Sequence, residues 1–325
     1  ANLSDCPDVS EEAKKVLGAA SAPPIKLVTV GTGAKKVEVG EENVLFRHEE
    51  KFYHPAGVAV TISDDLSDTD FNDRLKKINS LKISRVGTEI EIDLVAVINK
   101  SNNANKFAEA AKKVSSGSHL SIILSSASVE NMKAALANCA EKRPLVHGAN
   151  SQNCAAMAAL AKEKNCPMTV TAPTLEELAD LAECAKKAGV EEIMLDVSGN
   201  NPKEVLQKLT KIRRAALKKN FRTLGFPMIT FVCDDDPFQE ISLASTYLVK
   251  YAGIVAVNTC EPWGIMPLLT ARANIFTDPQ KPIQVEPKLY AVGDVKEDSP
   301  VLFTTNFSLT YYTVEGEVEG SRIPA

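Results

Sequence analysis

The sequence predicts a (β/α)₈ barrel, and three observations predict it. Eight apolar runs of strand length recur from residue 57 onward, each followed by a helical pattern. All eight pairs fit within about 220 residues, the usual span of such a barrel. The runs are apolar throughout rather than alternating, as strands covered on both faces are.

The strand runs are Val58–Ile62, Leu94–Ile98, Leu120–Leu124, Pro144–His147, Met168–Thr171, Ile193–Val197, Met228–Val232 and Ile254–Val257. The helical patterns are Phe71–Ile78, Asn105–Val114, Val129–Cys139, Asn153–Lys162, Leu175–Ala188, Pro202–Lys218, Pro237–Tyr251 and Trp263–Ile275. Their ends carry the expected signals. Asp236-Pro237 places an N-cap before a proline at the first helical position. Thr174 with Glu177 forms a capping box, and Gly189 ends the fifth helix. Lys82–Ile92 adds a strand-like insert between the first helix and the second strand.

Ahead of the barrel, residues 1–23 hold a helix with Ser10 as N-cap, broken by Ala22-Pro23-Pro24. Residues 24–55 read as a small β-rich extension. Its predicted strands are Lys26–Val30, Lys36–Val39 and Val44–Phe46, punctuated by Gly31, Gly33 and Gly40. The barrel itself spans 56–278. Beyond it, residues 279–325 form a connector, in which Pro282, Pro287, Gly293 and Pro300 mark a meandering path. That path ends in a predicted strand, Thr304–Glu317. Alternation puts Phe303, Thr305, Phe307, Leu309 and Tyr311 on one face of it. Thr304, Asn306, Ser308, Thr310 and Tyr312 fall on the other, a ladder of hydroxyls and an amide. The chain opens on Ala1 and closes on Ile323-Pro324-Ala325, after a charged Glu-Gly-Glu-Val-Glu-Gly run typical of a linker. Flanking parts are therefore expected on both sides.

The composition, 44% hydrophobic and 24% charged, is that of a globular protein. A net charge of −5 argues against nucleic acid as a partner. No apolar run reaches the roughly 18 residues of a membrane span, and no signal peptide opens the chain. The seven cysteines (6, 139, 154, 166, 184, 233 and 260) form no Cys-x-x-Cys pair. Most lie inside apolar patterns and read as reduced thiols of a cytoplasmic protein. Cys6 differs, because it stands in a polar segment before the first core element.

Chemistry in such a barrel belongs at the C-terminal ends of the strands. The candidates there are Asp64, Asp65, Asn99, Ser125, Ser126, Asn150, Asp196, Asp234 to Asp236, Asn258 and Glu261, with His147 the only histidine among them. Sequence alone assembles no acid/base pair and no nucleophile–base pair from this set. Asp234-Asp235-Asp236 reads as a loop and an N-cap before it reads as a metal site. Gly31-Thr32-Gly33-Ala34-Lys35-Lys36 precedes a strand and reads as a hairpin turn, not a phosphate loop. His48-Glu49-Glu50 and His54 lack the helical spacing of a zinc motif. Lys208, Lys211, Arg213, Arg214, Lys218, Lys219 and Arg222 read as a solvated basic helix. The sequons at Asn2 and Asn306 carry no weight in a cytoplasmic protein.

Several longer words carry a resemblance. They are Asp5-Cys6-Pro7, Gly18-Ala-Ala-Ser-Ala-Pro-Pro24, Leu45-Phe-Arg-His48, Phe52-Tyr-His54, Thr304-Thr-Asn-Phe-Ser-Leu-Thr-Tyr-Tyr312 and Val314-Glu-Gly-Glu317. Through them the chain resembles, over essentially its whole length, the large subunit of the corrinoid iron–sulfur proteins of the reductive acetyl-CoA pathway. The resemblance implies a [4Fe–4S] domain, a barrel and a C-terminal corrinoid-binding domain. Four cysteines hold the cluster in that family, and Cys6 matches the fourth; its three companions are not in this sequence. The function implied is a methyl carrier. Corrinoid cobalt takes a methyl group from methyltetrahydrofolate on a separate methyltransferase and delivers it to acetyl-CoA synthase. The implied partners are these two and a smaller barrel subunit, which pairs with the large one as a heterodimer and shares the corrinoid (a cobamide). Corrinoid contacts start in the final motif, where Thr304 and Thr310 are the expected residues. The predicted strand would put both on its polar face, facing the amide-bearing rim of the corrin. The rival expectation is an autonomous pterin-dependent methyltransferase barrel, gripping its substrate with Asn99, Asn150 and Asp196.

Overall fold

The computed structural model describes residues 9–46, 49, 52–85, 88–232, 234–276 and 284–325. Helix α1 (Glu11–Ser21) begins at Ser10, whose hydroxyl accepts from the Ala13 amide at 3.2 Å. Strands β1 (Val28–Val30) and β2 (Val37–Val39) then form an antiparallel hairpin. Its turn uses Gly31 and Gly33, both at positive φ, so the hairpin reading of that stretch holds and the phosphate loop does not arise.

The alternation that follows is β3 (Gly57–Ser63), α2 (Asp68–Asn79), β6 (Leu94–Ile98), α3 (Ala104–Gly117), β7 (Ser121–Ser125), α4 (Val129–Leu136), β8 (Leu145–Ala149) and α5 (Cys154–Glu163). It continues with β9 (Met168–Thr171), α6 (Leu175–Lys187), β10 (Ile193–Asp196), α7 (Pro202–Lys218), β11 (Met228–Val232), α8 (Pro237–Val249), β12 (Ile254–Val257) and α9 (Pro262–Phe276). Between α2 and β6 lies a separate hairpin, β4 (Lys82–Arg85) with β5 (Thr88–Glu91), the insert expected from the sequence. The eight barrel strands close in the order β10-β11-β12-β3-β6-β7-β8-β9, each parallel to its neighbours. The predicted (β/α)₈ barrel is therefore the observed fold.

The interior divides in two. Outward-facing strand residues such as Val58, Val60, Val95 and Ile122 pack beneath the helices in one large core. Inward-facing residues, among them Ala59, Leu94, Ile123, Leu145, Met194, Ile229 and Ile254, form a second. Val28, Val30, Val37 and Val39 belong to that inner cluster, so the N-terminal hairpin plugs the floor of the barrel. Polar clamps hold the plug where the strands begin. The Thr29 amide donates to Glu192 at 2.8 Å, Arg143 Nη1 donates to the Thr29 carbonyl at 2.7 Å, and the Gly31 amide donates to the Arg143 carbonyl at 2.9 Å. Ser121 Oγ, at the start of β7, donates to the Lys35 carbonyl at 2.9 Å.

Arg213 is the exception to the solvated basic face read for α7, where Lys211, Arg214 and Lys218 are exposed. It is 2% exposed, pairs with Glu42, donates to the Val44 carbonyl at 2.8 Å and lies 4.5 Å above the Tyr251 ring. A single buried guanidinium thus ties the extension to α7 and α8. Two predicted strands are also corrected. Val44–Phe46 is irregular, and the extension's third pairing is only an isolated bridge between Ile25 and Glu42. Thr304–Glu317 is not a strand: its larger part lies in α10 (Ser308–Ser321).

The plug can be tested through Gly40, which sits at φ +98° just after β2, where a Cβ would drive into the Lys26 carbonyl oxygen. Gly40→Ala should lower stability by about 1–3 kcal/mol, the usual cost of a side chain in such a backbone region. Urea titration of both proteins reads this directly, and coincident midpoints would contradict it.

Candidate functional site at the barrel mouth

Strand parity builds the mouth. Inward-facing Ala59, Ala96, Ile123, Leu145, Met194, Ile229 and Ala256 fill the middle of the barrel. Two residues further along each strand the same inward direction recurs, now at the C-terminal rim. There it presents Thr61, Ile98, Ser125, His147, Asp196, Phe231 and Asn258, which line a cavity of about 1040 Å³.

Three of these form a hydrogen-bonded chain. Ser125 Oγ lies 2.8 Å from His147 Nδ1, and His147 Nε2 lies 3.0 Å from Asp196 Oδ2. The other Asp196 oxygen accepts from the Ser198 amide at 2.9 Å and from the Ser198 hydroxyl. Burial alone pushes the Asp196 carboxyl up, but the hydrogen bonds and charge of His147, with the bonds from Ser198, outweigh it and hold the carboxyl below its ordinary range. Asp196 is therefore a carboxylate, suited to accept a hydrogen bond from His147 Nε2–H. That leaves Nδ1 to accept from the Ser125 hydroxyl. The Phe231 ring packs on the imidazole, with centroids 4.4 Å apart. The pairing of β8 with β9 slips between Val146 and Ala149, and Gly148 within that bulge has φ +118°. A side chain there would collide with the Ser126 carbonyl, so glycine lets β8 close on β7 beside His147.

The other expected site residues serve mainly internal bonds. Asp64 accepts from Asn99 Nδ2 at 2.7 Å and from the Ser101 amide at 2.8 Å. Asn99 Oδ1 in turn accepts from Ser126 Oγ at 2.9 Å and from Asn131 at 2.8 Å. Asn150 Oδ1 accepts from the Gln152 amide at 2.9 Å. Asp236 caps α8 through the Phe238 amide at 3.0 Å, and Asp234 accepts from the Asp236 amide, also at 3.0 Å. Arg74 is held by the carbonyls of Thr61 and Asn258 and by the Asn258 side chain, at 2.6 to 2.9 Å. Glu261 pairs with Lys77. His54 bonds Glu41 at 2.7 Å, while His48 lies outside the described residues.

Sequence reading missed the Ser125–His147–Asp196 chain. The signal for it was parity: each of the three stands two residues beyond an inward apolar residue on its own strand. Ending the third strand run at Leu124 hid Ser125's membership of that face.

The expected cofactor residues stand elsewhere. Cys6 lies outside the described residues. Thr304 is exposed in an irregular stretch, and Thr310 is exposed on α10. The inner side of α10 is instead Ser308, Tyr311, Val314, Glu315 and Val318, a spacing of three and four. With no strand there, the shared-face argument for the two threonines falls away. Thr304 does line a groove of about 570 Å³, formed with Val301, Leu302, Phe303, Asn306 and Tyr311 among others; Thr310 does not.

Comparison with known proteins bears on both regions. Residues 27–325 match the family described as CO dehydrogenase/acetyl-CoA synthase delta subunit. The chain is 41% identical over 325 residues to a corrinoid/iron-sulfur protein large subunit of Moorella thermoacetica, covering 100% of this chain and 73% of that protein. It is 36% identical over 336 residues to an acetyl-CoA decarbonylase/synthase complex subunit gamma of Methanothermobacter thermautotrophicus, covering 99% and 73%. Among solved structures, 7,8-dihydropteroate synthase from Vibrio fischeri ES114 is similar with a TM-score of 0.52 at 11% identity, over 69% of this chain and 95% of that one. That last likeness is one of fold.

The lowered pKa of Asp196 makes a signed prediction. Its folded value lies below the ordinary 3.8, so its stabilisation is present above that value and is lost as pH falls through the folded one. Asp196→Asn should melt at a lower temperature near neutrality and lose that part of the acid limb. Melting curves from about pH 2 to about pH 7 test it; parallel profiles for the two proteins would exclude the carboxylate from this role.

Proposed function

The chain belongs to the CO dehydrogenase/acetyl-CoA synthase delta-subunit family, together with corrinoid/iron-sulfur large subunits and acetyl-CoA decarbonylase/synthase gamma subunits, and on that membership we propose that it is the barrel-bearing subunit of a corrinoid methyl carrier. The observation that carries the reading is 41% identity along all 325 residues to a corrinoid/iron-sulfur large subunit. A bound corrinoid would supply the cobalt that accepts a methyl group from methyltetrahydrofolate, on a separate methyltransferase, and releases it to acetyl-CoA synthase. The proposed partners are those two proteins and a smaller barrel subunit. The protein's task is to bind and orient the cofactor and keep it from side reactions.

The residues that would contact the corrinoid lie in the 284–325 segment, whose surface suits a large group with apolar faces and an amide rim. Leu289, Phe303 and Leu309 are 88%, 95% and 82% exposed. Thr304, Thr305 and Asn306 stand among them as donors and acceptors, and Ser308 Oγ is buried without a partner. The iron–sulfur cluster fits the described residues less well. A cluster needs a thiolate on each iron, and the described cysteines are free thiols set in the barrel. Burial pushes Cys139 and Cys154 up to about 12 and Cys166 to about 11, so they stay protonated. Cys6 remains the proposed cluster ligand. Among the described residues no group of three or more His, Cys, Asp and Glu is placed to hold a metal ion. Nor, among them, is any helix long and apolar enough to cross a membrane.

With these roles the proposed division is 1–23 toward the cluster domain, 24–55 as barrel plug and strap, 56–278 as barrel, and 279–325 as connector to the corrinoid domain. The pterin reading is disfavoured because Asn99, Asn150 and Asp196 are already engaged by neighbouring side chains and amides.

Thr304→Val with Thr310→Val tests the corrinoid contact. Two lost hydrogen bonds at about 1 kcal/mol each should weaken corrinoid retention roughly tenfold or more. Cobalt per chain, measured after dialysis of the full-length protein isolated with its partner subunit, reports this. Undiminished cobalt in the double variant would remove both residues from the site.

A further inference from the structure

The barrel mouth carries chemistry that a corrinoid carrier leaves unused. We propose that Ser125 is a nucleophile, and that the mouth hydrolyses small uncharged or cationic acyl esters through Ser125, His147 and Asp196.

Several observations converge. The contacts are of hydrogen-bonding length on both sides of the imidazole, 2.8 Å to Ser125 and 3.0 Å to Asp196. All three side chains line the open cavity, with Asp196 and His147 largely withdrawn from solvent, their side chains 7% and 12% exposed. With Asp196 accepting at Nε2, a neutral His147 offers Nδ1 to the Ser125 proton and leaves the Ser125 lone pairs for the cavity. The Phe231 ring packed on the imidazole, with the bonds at both ring nitrogens, restrains it from turning. The nitrogens are used in the opposite sense from the serine-protease arrangement, with Nδ1 toward serine. Either nitrogen can take the proton while the other is held, so the roles are preserved.

The reaction balances with water as the only co-substrate. Ser125 Oγ attacks the carbonyl carbon as its proton moves to Nδ1, and the carbonyl π pair moves onto oxygen. Collapse breaks the C–O bond of the ester, and the departing alcohol takes the proton from Nδ1. Water then attacks the acyl-Ser125 carbonyl and gives its proton to Nδ1. A second collapse returns that proton to Ser125 Oγ and releases the carboxylic acid. Lys100, just beyond β6 and paired with Asp65 at 3.4 Å, lines the same cavity and is the cation that would turn from Asp65 toward the developing oxyanion. The substrate class follows from charge. Asp65, Asp196, Asp234 and Asp235 outnumber Arg74 and Lys100 around the cavity, so an anionic ester is repelled.

The test needs neither corrinoid nor partner. The 325-residue chain is treated with a fluorophosphonate probe, and the adduct is located by peptide mass spectrometry. The expected result is modification of Ser125 that is lost in His147→Gln. Hydrolysis of p-nitrophenyl acetate should fall about 100-fold or more in Ser125→Ala, the usual worth of an assisted nucleophile. The anionic mono-p-nitrophenyl succinate should be a poorer substrate than the acetate. Wild-type protein whose Ser125 stays unmodified at saturating probe overturns the proposal, and this arm depends on no variant folding. Equal labelling of His147→Gln, with its melting temperature unchanged, overturns it as well, because the serine would then react without its base. Cobalt retention reads the carrier function separately, so either can fail alone.

Discussion

Closing eight parallel strands on themselves turns the two-residue alternation of side chains into a rule for the whole interior. Every inward position shares its level with inward positions on other strands, so the barrel has layers, apolar in the middle and mixed at the C-terminal rim, where Ile98 and Phe231 stand among polar groups. The middle is apolar, from Ala59 and Leu94 through Met194 to Ile254. An apolar layer cannot face water at the N-terminal end. The β1–β2 hairpin answers this by adding four valines beneath it, clamped by Glu192, Arg143 and Ser121 at the strand starts. The C-terminal layer opens on a cavity instead. It carries Thr61, Ser125, His147, Asp196 and Asn258, groups that tolerate a wet cavity.

Within that layer two polar networks differ in a way that matters for chemistry. Asp64 and Asn99 are bonded to one another and to Ser101, Ser126 and Asn131, and they brace the ends of β3, β6 and β7. Their hydrogen-bonding groups face protein, so the network rigidifies the rim. The Ser125–His147–Asp196 chain is anchored at one end only. Asp196 is held by Ser198, which also accepts from the Phe231 amide at 2.8 Å, whereas the Ser125 end opens on the cavity. A network pinned at its buried end and open at the other can pass a proton; a closed one cannot.

The barrel was legible because strands buried on both faces leave long apolar runs, and because caps such as Thr174 and Asp236 mark the helix starts. Both caps bond as expected, Thr174 to the Glu177 amide and Asp236 to the Phe238 amide. Long-range partnerships were not legible. Arg213 looked like one more cation on a basic helix, yet its position on the inner side of α7 places it against Glu42, some 170 residues earlier. Ser125, His147 and Asp196 lie on strands β7, β8 and β10, and only barrel closure brings them together. At Thr304–Glu317 the alternation of apolar and polar residues was genuine, but a competing three-and-four spacing ran through Ser308, Tyr311, Glu315 and Val318. The second pattern prevails because those residues have an inner side to pack on. The Tyr311 ring lies tilted against Tyr290, centroids 4.6 Å apart, and its hydroxyl donates to Glu315 at 2.8 Å, a contact four residues apart that a helix aligns and a strand would separate.

The same segment bears on the carrier reading through more than the two threonines. Its contacts within itself include the Gln284–Phe307 bridge, the tilted Tyr290–Tyr311 ring pair and the paired amides of Val292 and Ala325. Against these stand Leu289, Val301, Leu302, Phe303 and Leu309, all more than half exposed. Scattered apolar residues on a surface need no explanation, but a short stretch with so many does. Covering large side chains of this kind is worth about 1.5–3 kcal/mol each. A broad, partly apolar group held against the segment would recover that free energy while meeting the hydroxyls and amide of Thr304, Thr305 and Asn306. On the proposed reading this surface is where a corrinoid would lie, and the helix leaves Leu309 and Thr310 exposed side by side, whereas the predicted strand would have put them on opposite faces.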